Sequence, residues 1–145
     1  MTGSGLVDLT FEECVERLES RAIGRVAVVV DGYPLVLPVN YRLVALPGRR
    51  YWVAVRTRPG GIIDRAATHV AFEVDEIDRD QREGWSVLVR GTLHRVDEDS
   101  ADFASRYDPH SWLLDEPTVW MVIDAFQITG RELHQPGGRW ELELS

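Results

Sequence analysis

Apolar and polar positions follow two different periods along this chain, and the places where the period changes outline its elements. Phe11, Cys14, Val15 and Leu18 recur at helical spacing behind Thr10 and Glu13. A threonine N-cap with glutamate three residues on is a capping box, so a short amphipathic helix is predicted there, with Gly24 as its expected stop. Residues 25–30 are then rich in β-branched side chains, and Asp31-Gly32 is a two-residue turn of the kind that tolerates positive φ. With a second extended run over 35–41, this reads as a β-hairpin. A third strand is predicted over 50–56, after the turn Leu46-Pro47-Gly48. The chain breaks at Arg58-Pro59-Gly60-Gly61 before a short helical segment over 62–67. Further strands are expected over 70–74 and 86–96, joined by an acidic, exposed loop over 75–83. Asp97-Glu98-Asp99-Ser100 opens a helical stretch to about Tyr107, 109–117 is irregular and carries Trp112, and 119–128 is extended. Residues 140–144 alternate as an edge strand would.

Six or seven short strands with two or three small helices predict a mainly β, α+β fold. The expected form is a closed or nearly closed antiparallel β-barrel with peripheral helices, because closure removes exposed sheet edges. A chain of 145 residues is the size of one domain, so 1–145 is read as a single unit with no internal repeat. The longest apolar stretch, 26–30, is too short to cross a bilayer, and residues 1–5 lack the pattern of a secretory signal. With one cysteine, Cys14, there is no internal disulfide framework, and a cytoplasmic location is expected. Apolar residues on both faces of 35–44 and 119–128 suggest that a partner copy covers part of the outer surface.

Charge narrows the function. Sixteen basic against twenty-four acidic residues leave a net charge of -8, which disfavours general nucleic-acid or anionic-membrane binding. All sixteen basic residues are arginine. The absence of lysine excludes Schiff-base chemistry, a Walker-type phosphate loop and a kinase strand lysine. There is no nucleophile elbow, zinc-ligand pair or Rossmann loop, and His69, His94, His110 and His134 are too scattered to suggest a metal site. Cys14 sits on the apolar stripe and reads as a small buried hydrophobe. The acidic run Glu73, Asp75, Glu76, Asp78 and Asp80 lacks the spacing of a calcium loop and reads as a solvated segment. The positive counterpart is Arg56-Thr57-Arg58-Pro59-Gly60-Gly61. Two guanidinium groups and a hydroxyl there arrive at a glycine turn whose N–H groups can hold an anion. Two readings of Arg56 stay open: a phosphate contact, or an ion pair with Glu73 across the sheet. Trp85, Trp112, Trp120 and Trp140 likewise suit either packing or a ligand groove.

Taken in order, a set of strings resembles the pyridoxamine 5'-phosphate oxidase-like flavin-binding split barrels, in their short actinobacterial form. These are Leu9 to Leu18, Ile23-Gly24-Arg25-Val26-Ala27, Asp31-Gly32-Tyr33-Pro34, Pro38-Val39-Asn40-Tyr41, Arg56-Thr57 with Pro59-Gly60, residues 70–75, Gly84-Trp85-Ser86-Val87 to Gly91, and Ile128-Thr129-Gly130-Arg131. The resemblance covers nearly the whole chain. It implies a six-stranded Greek-key split barrel that forms a homodimer, with flavin mononucleotide (FMN), or in some relatives a deazaflavin, in a groove between subunits. Carried over by position, Arg56 and Thr57 would meet the flavin phosphate. Pro38, Val39 and Asn40 would run beside the isoalloxazine ring, and Ser86, with Trp85 adjacent, would approach the ring edge. The family's turn carries a lysine where this chain has Ile62, and Asp64 adds a negative charge; Arg58 or Arg65 is the expected compensation. The implied function is an oxidoreductase that transfers hydride to or from a small organic substrate, with the chemistry carried by the cofactor, so no catalytic side chain and no metal ligand is named. The alternative is a non-enzymatic dimer that binds a deazaflavin, haem or lipid-like molecule instead, or that has lost flavin binding.

Overall fold

Along the strands every second side chain is apolar, and alternation of this kind has to bury one face of a sheet. A computed structural model, which describes residues 5–96 and 119–134, resolves this by closing the sheet on itself. In chain order the elements are β1 (Leu6–Asp8), α1 (Phe11–Glu19), β2 (Ile23–Val30), β3 (Tyr33–Leu46), β4 (Arg50–Thr57), β5 (His69–Asp78), β6 (Glu83–Arg95) and β7 (Val119–His134). All pairings are antiparallel. The order is β1-β7-β4-β3-β2-β5-β6, and an additional β6–β7 ladder closes β2 to β7 into a six-stranded ring, with β1 lying beside the second half of β7. The meander β2-β3-β4, followed by β5 returning to the side of β2, is a Greek key. The mainly β split-barrel class is therefore what this chain forms, with one helix among the described residues.

The inward side chains make one core, which includes Val26, Val28, Tyr41, Val53, Val55, Phe72, Val87, Val89 and Ile123. Helix α1 packs against β3, β6 and β7 and sinks Cys14 and Leu18 into that core. The buried Tyr41 hydroxyl donates to the Leu18 carbonyl at 2.5 Å and so ties the helix to the barrel. On the opposite face of β3, β4 and β7, Val44, Ala54 and Val122 form a second small core with Leu46, Trp52 and Val96. The two-sided hydrophobicity of 35–44 and 119–128 is thus answered in part within the chain.

Several sequence expectations shift. The capping box is present, with Thr10 accepting the Glu13 N–H at 3.1 Å and Glu13 accepting the Thr10 N–H at 2.9 Å. The helix stops at Glu19 with Ser20 as C-cap, however, and Gly24 lies inside β2. Its role there is close approach: a Cβ at position 24 would sit 2.3 Å from Cζ of Phe72. The Asp31-Gly32 hairpin holds, with φ of 52° and 82°. Residues 75–78 are not a loop. They continue β5, and the hairpin to β6 turns over 79–82, where Asp78 accepts the N–H groups of Asp80 and Gln81 at 3.0 Å each. The last strand runs past Ile128 to His134. The segment over 62–67 is a succession of turns rather than a helix. The predicted helix over 97–107, the irregular stretch with Trp112 and the edge strand over 140–144 lie outside the described residues. No described helix is long and apolar enough to cross a membrane.

Candidate functional site

The barrel opens where one ladder stops short. β3 and β4 pair from Leu46↔Arg50 to Tyr41↔Val55 and no further. Beyond that point, residues 33–40 of β3 stay on β2, while Arg56 and Thr57 of β4 stay on β7, opposite Trp120 and Val119. The two strands part and leave a cleft between them.

The edge of β3 that faces the cleft follows from strand geometry. Tyr41 donates its N–H to Ala22 at 2.9 Å, on the β2 side. Backbone groups point alternately to the two neighbours of a strand, so Pro34, Val36, Pro38 and Asn40 turn theirs away from β2 and toward the opening. Both prolines fall in this register, where the missing N–H breaks no ladder bond. The N–H groups of Val36 and Asn40 and the intervening carbonyls therefore form a polar edge that a flat ligand can pair with.

The cavity between these strands has a volume of about 490 Å³ and is lined by residues 37–40, 56–58 and 61–63. That is within the usual range for small-molecule sites. Six of the residues singled out from the sequence, Pro38, Val39, Asn40, Arg56, Thr57 and Arg58, meet in this cavity although they come from different strands. The Arg56 guanidinium lies 5.2 Å from the centre of the Trp120 ring, its cross-strand neighbour. Thr57 ends β4 as a polar residue only 8% exposed. Glu73 is not the partner of Arg56: it pairs with Arg25 at 3.2 Å on the other side of the barrel.

The turn that follows carries the chemistry of the rim. Gly61 donates to the Arg58 carbonyl at 3.0 Å, and Arg65 and Ala66 close successive turns on Gly61 and Ile63. Gly60, at φ 69°, donates its N–H to Oδ2 of Asp64 at 2.7 Å. Ile62 stands at the rim, 36% exposed.

Trp85 and Ser86 lie on β6, away from this cavity. Trp85 packs beside α1, with the guanidinium groups of Arg17 and Arg21 at 5.4 and 5.5 Å from its ring. Ser86 pairs with Asp75 and Arg131 and shares the outer face with Leu88 and Arg90. The acidic run is consumed locally. Glu73 and Asp75 bind Arg25, Glu76 pairs with Arg21, and Asp78 caps its own turn. Among the described residues, no three His, Cys, Asp or Glu side chains gather where they could hold a metal ion. Cys14 is buried, and that burial pushes its thiol up, so it is a poor nucleophile at neutral pH.

Leu37 and Ile63 belong to the site but were not expected there, while Gly61 of the glycine turn joins it as the sequence suggested. The signal for the opening was present in the sequence: two prolines four residues apart in one strand mark an edge without a ladder partner.

Residues 10–132 match the family model described as pyridoxamine 5'-phosphate oxidase. An uncharacterized protein of Mycobacterium tuberculosis is 30% identical over 134 residues, covering 86% of this chain and 84% of its own. Among solved structures, an FAD binding protein from Mycobacterium smegmatis is 34% identical with a TM-score of 0.69, covering 88% of this chain and 98% of its own. An FAD-binding protein from Mesorhizobium loti is 28% identical with a TM-score of 0.70, over 88% and 96%. With its six-stranded ring, split between β3 and β4, and a family match over most of its length, this chain belongs to the pyridoxamine 5'-phosphate oxidase family of split barrels.

Proposed function

We propose that the cleft between β3 and β4 binds the flavin mononucleotide moiety common to FMN and FAD, and that the protein is a flavin-dependent oxidoreductase acting on a small organic substrate. The observation that carries this reading is the meeting of Arg56, Thr57 and Arg58 with the unpaired edge of β3 in one cavity. The residues present fit the group. Two guanidinium groups and a hydroxyl suit a phosphate. Leu37, Pro38 and Val39 offer an apolar wall to a flat ring, and the outward backbone groups near Asn40 reach its polar edge. The FAD binding names of two relatives support a flavin in this fold.

A bound flavin supplies the hydride-transfer chemistry. The chain's own part is to bind and orient. Arg56 and Arg58 anchor the anionic end, β3 sets the plane and register of the ring, and Ile62 and Ile63 keep water from the wall of the cleft. The protein acts as a homodimer in this proposal, joined through the outer face of β3, β2, β5 and β6, where Val36 is 65% and Leu88 40% exposed. Such a face packed on its own copy carries Ser86 of β6 toward the partner's cleft, which is how a residue outside the single-chain cavity joins the site.

The test is a titration of the protein with FMN and with FAD, read by quenching of flavin fluorescence, with Arg56→Ala as control. Micromolar binding is expected, weakened about 10- to 100-fold in the variant, the usual loss when a charge-assisted hydrogen bond is removed. Absence of binding at about 1 mM, roughly 4 kcal/mol of affinity, overturns the proposal and favours a barrel that takes another ligand.

A further inference from the structure

We infer that Arg25, Glu73 and Asp75 form a proton-controlled latch at the contact between two copies of the chain: the face packs when the two carboxyl groups share a proton and resists packing when both are ionised. The inference rests on the proposed association through the outer face of β3, β2, β5 and β6 and adds a control to it.

Register puts the cluster in the middle of that face. Phe72 and Val74 are buried in the core, so Glu73 and Asp75 point outward, and Arg25, next to buried Val26, does the same from β2. Pro38, Arg25, Glu73 and Leu88 stand in one row across β3, β2, β5 and β6, and Val36, Ala27 and Ala71 make up the next. The cluster is thus set among apolar side chains, and a partner laid on Val36 and Leu88 covers it.

Nη1 of Arg25 reaches Glu73 at 3.2 Å and Asp75 at 3.1 Å. One guanidinium therefore serves two acids, whose carboxyl groups also lie within hydrogen-bonding reach of each other. With both ionised the cluster has a net negative charge, and a shared proton cancels it. Burial, followed by Asp75, already raises the Glu73 carboxyl to about 7 in a single copy, where its side chain is still 33% exposed. A partner that removes the remaining water penalises the ionised form further. The other charged groups of this face leave the cluster to itself. Arg90 on β6 bonds Gln127 at 3.0 Å and lies over the Phe126 ring, toward β7. Arg131 on β7 stands opposite Ser86, two strand spacings or about 10 Å from Asp75. β3 brings Pro38 and Asn40, which carry no charge. Among the described residues, His69 and His94, farther along β5 and β6, also present near-neutral titrating groups on this side.

The test is sedimentation velocity over a dilution series at about pH 6 and pH 8.5, at constant ionic strength, for wild type and Glu73→Gln. A glutamine amide accepts from Arg25 and donates to Asp75, so it reproduces the protonated arrangement at either pH. The wild-type dissociation constant is expected to rise about tenfold or more at the higher pH, because association takes up protons there. Glu73→Gln is expected to keep the low-pH value throughout. Asp75→Asn leaves a neutral Arg25–Glu73 pair and is expected to remove the pH dependence as well; it decides the matter if Glu73→Gln does not fold. A wild-type dimer that dissociates equally at both pH values overturns the latch and leaves the interface reading intact. So does a pH dependence that persists in the variants, which assigns it to His69 or His94. A monomer at every pH and concentration overturns both.

Discussion

At the scale of single residues, what matters is how closely two atoms are forced together. Gly24 lies against Phe72, whose ring is fully buried and meets Tyr41 edge-on at 4.8 Å between centroids. Gly24→Ala is therefore expected to cost about 1–3 kcal/mol through overpacking, measurable as a lower denaturant midpoint. In the sequence this glycine reads as a helix stop, because a local pattern does not show that a ring from a strand 48 residues away presses on its Cα. Cys14 reads correctly as a buried hydrophobe, since a helical apolar stripe fixes which side faces the core. It should stay unmodified by a thiol reagent until the protein unfolds, which mass spectrometry across a denaturant series would show. Arg56, Thr57 and Arg58 are adjacent in sequence and legible as a candidate anion site. Their meeting with residues 37–40 is not, because the two segments are neighbours only where the barrel splits.

Elements are stabilised by local devices and by the neighbours they acquire. The capping box of α1 is entirely local, and the hydrogen bonds from Thr10 hold the Glu13 carboxyl below its ordinary range. Thr10→Ala should cost about 1 kcal/mol, again read from the denaturant midpoint. β5 shows the other case. Its Glu73 pairs with Arg25 across to β2 and shares that arginine with Asp75, at 3.2 and 3.1 Å. Burial, followed by the nearby Asp75, raises the Glu73 carboxyl to about 7 against the pull of Arg25. Between the ordinary carboxylate range and pH 7 the native state then binds more protons than the unfolded chain, so stability falls as pH rises through that window. The thermal midpoint should decline from pH 5 to pH 8, and Glu73→Gln should flatten that decline. An unchanged slope in the variant would show that other groups carry it.

For the whole molecule, the ring of β2 to β7 leaves an outer face on which Val36, Leu88 and Phe126 are exposed, Phe126 at 72% beside the bulge at Arg90 and Gly91. Monomeric proteins seldom present such a run of apolar side chains to water. If two copies pack through it, Val36→Glu should yield a monomer in sedimentation velocity while retaining the β-sheet spectrum. Its flavin affinity should fall as well, because the partner would no longer close the cleft. A variant that stays dimeric with unaltered binding would place the interface elsewhere.

Much of this architecture was legible in the residues alone because it depends on short-range rules. Alternation with period two specifies strands, Asp31-Gly32 specifies a two-residue hairpin, Thr10 and Glu13 specify a helix start, and the sum of short strands specifies closure. The eight ordered strings extended that reading to a family. Other features depended on contacts distant in sequence. The acidic run over 75–78 became strand because β6 pairs with it. The turns over 62–67 did not become a helix, since Asp64 closes back on Gly60 and the segment is too short to propagate. The cleft exists because β3 runs on past the end of its ladder with β4, a matter of register between two strands. Register is settled by which faces are buried in the closed barrel, and closure is a property of all six strands at once.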